Sequence, residues 1–356
     1  MQPTQPRRAF LRRARGTLLL ALGAFVLTQL GLRLFIDEWK PELRDPIFEI
    51  KYRQLANLLG QHPKPAASVV FFGSSMSANG MKAGEAEAPL TSSLGRPVVS
   101  YNLATNGAGP VTHLVYMQRL LRRGVRPDMV VLEVSPLLFV QGQVAMDISR
   151  FPADVLERED IGTLERYAGK SDLRDEWWKS QLVPTYAHRR MILNQSAPLL
   201  VPFSEQIELW PDVDAHGWRG RRALPPEEHR VALQAIEAQL KEKLQKFRPE
   251  EEPRKGLNEL ADLLTKEHIQ AVLVVMPEGP FLRSLYAPNA AEPMREEFRS
   301  LCRRHGFTLV DAHEWYDESQ FVDSYHLHAS AAQEFTERLV REGLTPVAAS
   351  TRHAKR

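Results

Sequence analysis

A serine in the first third of the chain, and an aspartate and a histidine near its end, are the residues best suited to chemistry. In the stretch SVVFFGSSMSANG (68–80), an apolar run is followed by a glycine, and Ser75 comes two residues after that glycine. Much later, FVDSYHLHASAAQEF (321–335) places Asp323 three residues before His326. A serine hydroxyl is a weak nucleophile until a histidine accepts its proton, and a carboxylate orients that histidine. These residue types predict acyl chemistry, with Ser75 as nucleophile, His326 as base and Asp323 as the orienting carboxylate.

The polar neighbours of these residues have simpler interpretations. Ser74 and Ser77 are expected to be turn or helix-cap serines, with Ser74 as the alternative nucleophile. His326 and His328 form a His-x-His pair, but no third ligand stands at a spacing typical of a metal site. The sequence therefore predicts neither a metal nor a cofactor.

Two further residues are candidates for the lining of a pocket because each follows a predicted strand. Asn106 lies in NLATNGAG (102–109), and Glu278 lies in MPEG (276–279). For Glu278, a position in a solvated loop is the alternative interpretation.

Five short apolar runs, each bounded by turn or loop residues, predict the strands that would position these side chains. They are residues 68–73, 97–103, 128–136, 271–279 and 307–312. Helical patterns lie between several of them, and this alternation predicts an α/β fold: a doubly wound, mostly parallel sheet of about five strands with helices on both faces. In such a sheet, ligands bind beyond the carboxyl ends of the strands, which is where Ser75 would lie.

The N-terminal region has the pattern of a membrane anchor. Residues 1–16 contain five arginines and no acidic residue, and residues 17–36 are apolar over about the length that crosses a bilayer. The positive-inside rule then predicts a single-pass protein with a cytoplasmic N-terminus and a periplasmic or cell-surface domain. A cleaved signal peptide and a twin-arginine export signal, suggested by RRAFLR (7–12), remain the alternatives.

Beyond the anchor, we expect a stalk helix over residues 37–65, a catalytic domain over 66–345 and a disordered tail over 346–356. The domain is interrupted at about 137–254 by a mainly helical insertion that is rich in tryptophan, proline and charge. This insertion either covers one face of the site or decorates the fold.

Composition argues against nucleic acid as a partner and excludes an intrachain disulfide. Of the 46 basic residues, five lie in the N-terminal segment, and the remaining 41 stand against 44 acidic residues. No basic stripe indicates nucleic-acid binding. Cys302 is the only cysteine, so no intrachain disulfide forms, and its position in a predicted helix favours a buried structural thiol.

The three stretches of the proposed site together resemble the SGNH, or GDSL-like, hydrolase superfamily. Gly73-Ser74-Ser75 is similar to the family's first block, NLATNG to its second and Asp323-Ser324-Tyr325-His326 to its last. The resemblance spans about residues 66–342 without the insertion. It implies Ser75, Asp323 and His326 as the triad, and the backbone amides of Ser75 and Gly107 as the oxyanion hole.

One block departs from the family pattern. Where Gly-x-Asn-Asp is expected the chain reads EVSPLLF (133–139), so that Leu137 replaces an asparagine that helps to bind the oxyanion. Loss of one such donor costs about 10²–10³ in rate where it matters. Asn106 or a residue of the insertion is the alternative donor.

The resemblance implies a membrane-tethered serine esterase or O-acyltransferase. Its expected substrates are acylated carbohydrates or other small esters, with acetyl-type groups on a cell-envelope or exported polysaccharide and with partners in polysaccharide assembly. One alternative is a catalytically weak or inactive binding or assembly component, which the missing asparagine favours. Another is a lipid esterase or thioesterase, suggested by the tether.

Overall fold

The computed structural model of the chain describes residues 5–62, 66–169, 172–202 and 213–354, which form two compact units. The first unit comprises Met1–Glu49, Phe151–Glu165 and Gly169–Leu209 as far as they are described. The second comprises Ile50–Arg150, Arg166–Ala168 and Trp210–Arg356, again as far as they are described.

The second unit contains a five-stranded parallel sheet. Its strands are β1 (Ala67–Phe72), β2 (Val98–Asn102), β3 (Met129–Glu133), β4 (Gln270–Val275) and β5 (Thr308–Asp311). They are arranged in the order β2-β1-β3-β4-β5, and every pairing is parallel. The predicted α/β fold is confirmed. The apolar runs identified the interior strands β1, β3 and β4 because a strand covered on both faces is rich in apolar side chains.

Helices surround this sheet and make up most of the first unit. In chain order they are α1 (Gln5–Glu38), α2 (Pro46–Gln61), α3 (Ser75–Gly80), α4 (Glu87–Leu94), α5 (Pro110–Arg122), α6 (Gln143–Ile148), α7 (Ile161–Ala168), α8 (Leu173–Leu182), α9 (Pro184–Ala187), α10 (Arg189–Ser196), α11 (Pro226–Gln245), α12 (Glu251–Lys266), α13 (Pro280–Ser284), α14 (Glu292–His305), α15 (Ala329–Leu339) and α16 (Thr345–Ala354).

Alternate side chains of β1 pack against helices on opposite faces of the sheet. Val69 and Phe71 belong to a buried cluster that includes Phe335 of α15. Phe72 points the other way, and its ring contacts His113 of α5. This alternation follows from the two-residue period of a strand. Because the chain passes from β1 outward to β2 and then back to β3, the strand order reverses beside the end of β1, where such folds bind ligands.

In the first unit, α1 contains the predicted membrane-spanning segment. The stretch Phe10–Glu38 is long and apolar enough to cross a membrane, with a mean hydropathy of 1.9 over its most apolar window. Large side chains such as Leu20 and Leu27 are exposed on its surface. Its orientation relative to the cytoplasm remains a prediction.

The C-terminal region differs from the disordered tail expected over residues 346–356. A single turn of π-helix (Val340–Leu344) continues into α16, where Val347 and Ala348 are buried in the core. The segment is ordered because these two side chains find apolar partners that local sequence does not show. Residues 355 and 356 lie outside the described chain.

The predicted insertion is mostly helical between β3 and β4, and its parts have different neighbours. Residues 151–165 and 169–202 belong to the first unit with α1, whereas the stretch from 213 onward belongs to the unit with the sheet. The second part carries α11, which reaches the candidate site described below.

Candidate active site

Ser75 is the first residue of α3 and directly follows the turn at the end of β1. A Cβ at Gly73 would lie 2.1 Å from Ser77 Oγ and 2.4 Å from Glu133 Oε2, so only glycine fits in this turn. Ser74 is the N-cap of α3, and its hydroxyl accepts a hydrogen bond from the backbone N–H of Met76 at 3.2 Å. The turn thus presents the Ser75 hydroxyl at the carboxyl edge of the sheet, half-buried.

His326 and Asp323 approach Ser75 from the loop before α15. His326 Nε2 lies 2.7 Å from Ser75 Oγ, and His326 Nδ1 lies 2.7 Å from Asp323 Oδ2. The second oxygen of Asp323 accepts the backbone N–H of His326 at 2.9 Å. With the ring proton on Nδ1, the ring donates to Asp323 and accepts from the serine hydroxyl. The structure therefore places the three residues in hydrogen-bond contact in the order that proton transfer requires.

Burial and charge set the protonation states of this group. Burial lowers the pKa of His326 more than its hydrogen bond to Asp323 raises it, so the ring is neutral near pH 7. Burial alone would raise the pKa of Asp323, but hydrogen bonds and attraction from His326, with the charge of Arg221, outweigh it and hold the pKa below its usual value. The histidine can accept a proton, and the aspartate stays ionised beside it.

Arg221 links the insertion to both halves of the site, and sequence patterns did not single it out. Its guanidinium lies 3.9 Å from Asp323 Oδ2, and its Nε donates to Asn79 Oδ1 at 2.9 Å. The amide of Asn79 in turn donates to the carbonyl oxygen of Ser75. The indole of Trp218 donates to the carbonyl oxygen of Asn79 at 2.7 Å. The short segment around Arg221 therefore supports the serine turn and the aspartate together.

The buried carboxylate of Glu133, the last residue of β3, anchors the serine turn. Its two oxygens accept the hydroxyl of Ser74 at 2.7 Å and that of Ser77 at 2.6 Å, together with the backbone N–H groups of both serines. Burial raises the pKa of Glu133 in spite of these hydrogen bonds. Ser74 is therefore buried and held by Glu133, whereas Ser75 contacts the histidine. This arrangement favours Ser75 over Ser74 as the nucleophile.

A cavity of about 180 Å³ opens beside the Ser75 hydroxyl. Its lining is largely apolar and consists of Ser74, Ser75, Met76, Gly107, Leu137, Leu138, Val140, Gln143, Met146, Gln239, Leu240 and Tyr325. Within the described residues, neither the amide of Ser75 nor that of Gly107 donates a hydrogen bond. Two free backbone donors and the serine hydroxyl thus border one apolar space, as an oxyanion hole requires. A cavity of about 350 Å³ at the amino-terminal edge of the sheet contains neither Ser75 nor His326.

Asp147 holds the chain next to Gly107, and sequence patterns did not reveal it. Its buried carboxylate accepts the N–H groups of Gly109 at 2.8 Å and Val111 at 2.9 Å, and it also bonds to Thr112. It thereby caps the start of α5. Gly107 lies two residues before this cap with φ +67°, a conformation that favours glycine. Only the approach of α6 to α5 brings Asp147 to this position.

The loop that carries the aspartate and the histidine has an unusual backbone between them. Ser324 has φ +71°, which is uncommon for a residue with a side chain and stores strain at this position. Its hydroxyl accepts the N–H of Leu282 at 2.9 Å and donates to Glu318 at 3.1 Å. These contacts hold Ser324 in place and direct Asp323 and His326 toward Ser75.

The two candidate pocket residues, Asn106 and Glu278, do not line the cavity beside Ser75. Glu278 is fully buried, and its carboxylate accepts from the hydroxyl of Tyr286 at 3.3 Å and lies 3.2 Å from His313 Nε2. It packs inside the protein because partners on neighbouring loops satisfy it. His328 caps α15, with its ring accepting the N–H of Ala331. Leu137 lines the cavity, so an apolar side chain stands where the resemblance expects an asparagine.

Comparisons with known proteins give a partial family match and a distant structural likeness. The model of DUF1574, a family of proteins of unknown function, matches residues 18–154. No curated protein sequence matches the chain. One similar solved structure is described as a lipolytic protein of the G-D-S-L family from Desulfitobacterium hafniense DCB-2. It is 10% identical, covers 77% of this chain and 98% of its own, and has a TM-score of 0.34. Another is LAE5, an alpha/beta hydrolase from the metagenome of Lake Arreo, Spain. It is 12% identical, covers 80% of this chain and 97% of its own, and also has a TM-score of 0.34.

Proposed function

We propose that the protein is a membrane-tethered serine esterase or O-acyltransferase that acts outside the cytoplasm. The observation that carries this proposal is the unbroken hydrogen-bonded path from Ser75 Oγ through the ring of His326 to Asp323, with 2.7 Å at each step. Such a path activates a serine toward an acyl carbonyl.

In the proposed reaction, Ser75 Oγ attacks the carbonyl carbon of the ester while its proton passes to His326 Nε2. The charge that develops on the ring is balanced by Asp323, whose pKa is held low. The carbonyl oxygen becomes an oxyanion between the amides of Ser75 and Gly107. When the tetrahedral intermediate collapses, His326 returns the proton to the leaving alkoxide, and the acyl group remains on Ser75.

A second nucleophile then decides the outcome. Water, deprotonated by His326, releases the free acid and makes the protein an esterase. A sugar hydroxyl, activated in the same way, carries the acyl group away and makes it a transferase. Because the chain has a segment able to tether it to a membrane, we propose an acylated carbohydrate of the cell envelope or an exported polysaccharide as the substrate.

The cavity beside Ser75 limits the acyl group. A protein cavity of about 150 Å³ lined by Leu, Ile and Phe holds benzene, which has six carbons. The cavity here measures about 180 Å³ and has a similar apolar wall. We therefore propose acyl groups from acetyl up to about six carbons. A longer chain would extend beyond this space through its open side.

A specific observation favours a second candidate, a binding or assembly component with little turnover. Leu137 stands where the related pattern has an asparagine amide, so one oxyanion donor is missing at that position. Gln143 and Gln239 are the side-chain amides on the cavity wall, and either is a candidate replacement.

A fluorophosphonate probe on the full-length protein distinguishes the two candidates. An activated Ser75 reacts covalently with the probe, and Ser75→Ala abolishes the labelling. Ser92→Ala is the matched control, since Ser92 is an exposed serine whose hydroxyl donates to the carbonyl oxygen of Ala88 within α4, away from Ser75 and Glu133. Labelling that persists in Ser75→Ala would remove Ser75 from the proposed role. Ser75-dependent labelling without turnover of any short ester would favour the binding component.

A further inference from the structure

A short helical segment of the first unit packs alongside α1 and exposes large apolar side chains. This segment, residues 182–196, has the sequence LVPTYAHRRMILNQS and contains no acidic residue. Leu182 is 67% exposed and Tyr186 is 65% exposed, although Pro184 between them is buried. An apolar surface of this kind with basic residues is typical of helices that lie in a membrane interface.

A pair of hydrogen bonds fixes where this segment meets α1. The side-chain oxygen of Gln29 accepts the backbone N–H of Thr185 at 3.2 Å and its hydroxyl at 2.9 Å. Gln29 is only 6% exposed, in a helix whose other large side chains are mostly exposed. A polar side chain within a membrane-spanning helix requires such a partner, because lipid offers none.

The composition of α1 determines the depth of Gln29 in a bilayer. The run between Arg15 and Asp37 is apolar except for Gln29 and Arg33, and it has the length of one hydrocarbon core, about 30 Å at 1.5 Å per residue. Arg33 lies 3.7 Å from Asp37, so its guanidinium can reach the membrane surface along its aliphatic stem. Gln29 precedes the end of that run at Ile36 by seven residues, which places it about 10 Å inside the core. Thr185 must lie at a similar depth because it is hydrogen-bonded to Gln29.

The other end of the segment lies near the membrane surface. The side chain of Gln195 donates to the carbonyl oxygen of Glu42 at 3.1 Å, just past the end of α1. The segment therefore runs alongside α1 from the level of Gln29 to that of Glu42. Between these ends, the guanidinium of Arg189 stacks on the ring of Tyr186 at 3.7 Å, a pairing that suits the boundary between lipid and water.

We propose that residues 182–196 insert partly into the membrane leaflet at the C-terminal end of α1. Leu182 and Tyr186 face the lipid acyl chains, and Leu193 lies nearer the headgroups. The protein is then anchored in the bilayer by a spanning helix and by a second, partly inserted segment. This inference rests on the proposed membrane tether and does not depend on the acyl chemistry. A nitroxide at Leu20→Cys in α1 tests the tether separately.

Spin labels on the full-length protein in lipid nanodiscs test this proposal. Leu182→Cys, Tyr186→Cys and Leu193→Cys each receive a nitroxide, and Val231→Cys on α11 serves as an exposed control outside the segment. The parent protein, labelled in parallel, gives the background from the buried Cys302. Collision rates are measured with oxygen, which concentrates in lipid, and with a water-soluble nickel chelate.

We expect the ratio of oxygen to nickel collisions to be severalfold higher at Leu182→Cys and Tyr186→Cys than at Val231→Cys. The ratio at Leu193→Cys should lie between these high values and that of Val231→Cys. Nickel access equal to that of Val231→Cys at all three positions would show that the segment lies in water. Protection from both reagents would show that another protein surface covers it. Either result overturns the proposal.

Discussion

Ser75 Oγ lies 2.7 Å from His326 Nε2, although 251 positions separate the two residues in the chain. Ser75 follows the end of β1, and His326 lies in the loop before α15. Helix α15 itself packs against α3 in the core. The contact depends on the whole sheet and not on a local motif. Each of the following predictions changes one of the supports that hold these groups in place.

The acid side of the pH profile should report His326. The ring must be neutral to accept the serine proton, so activity is lost as the pH falls through its pKa. Because burial lowers that pKa, we expect the midpoint in kcat/KM for a short ester to lie below the ordinary histidine value of about 6.5. A midpoint above that value would contradict the assignment.

Arg221 should shift this midpoint. Its charge lowers the pKa of His326, so Arg221→Gln should move the acid limb to higher pH. The shift should be small because the Arg221 side chain is partly exposed and its charge is screened. Arg221→Lys retains the charge and should restore most of the original midpoint. Identical profiles for the Gln variant and the parent would exclude this electrostatic role.

Asp147 should act on catalysis by positioning the chain at Gly107. Asp147→Asn leaves one acceptor oxygen where two accept the N–H groups of Gly109 and Val111, and a buried donor left without a partner costs about 1–3 kcal/mol. The displaced Gly107 amide should lower kcat by about 10–10², with a much smaller change in KM, because the oxyanion forms only in the transition state.

A matched control separates this effect from lost stability. Asp160→Asn removes another buried carboxylate cap, which accepts the N–H of Glu157 at 2.9 Å in the first unit. It should destabilise the protein while leaving kcat for a soluble ester unchanged. Equal losses of kcat in both variants would mean that Asp147 is only structural.

Glu133 should be required for the stability of the serine turn. Glu133→Gln leaves one acceptor oxygen where two serve the hydroxyls of Ser74 and Ser77, and a buried donor left without a partner costs about 1–3 kcal/mol. We expect a loss of about 2–3 kcal/mol, seen as a lower urea midpoint, together with weaker probe labelling. Glu242→Gln, at an exposed position, should leave both unchanged. Unchanged labelling in Glu133→Gln would show that the turn does not need this anchor.

The width of the cavity should set the preferred acyl length. A panel of nitrophenyl esters should show the highest kcat/KM at or below about six acyl carbons. Leu240→Phe narrows the cavity from α11 and should shift the preference toward acetyl. Val231→Phe, on the same helix but outside the cavity lining, should leave it unchanged. A preference for long chains would instead support a lipid esterase.

The amino-acid sequence by itself determined the sheet and the chemistry-bearing residue types. All five strands appeared as apolar runs. The interior strands β1, β3 and β4 did so because a parallel strand buried on both faces cannot alternate with polar residues. Ser75, Asp323 and His326 were identifiable from local spacing around a glycine turn and a helix start. The length and apolarity of α1 were equally local properties, since they need no partner to be recognised.

Only the tertiary structure decided which side chains support the site. Glu133, Asp147 and Arg221 each act on residues far away in the chain, so no local pattern reveals them. Glu278 follows a strand as pocket residues do, yet it turns inward because His313 and Tyr286 satisfy it. Residues 345–354 form a helix because Val347 and Ala348 find places in the core. Burial and hydrogen bonding depend on what surrounds a side chain, and long-range packing alone supplies those surroundings.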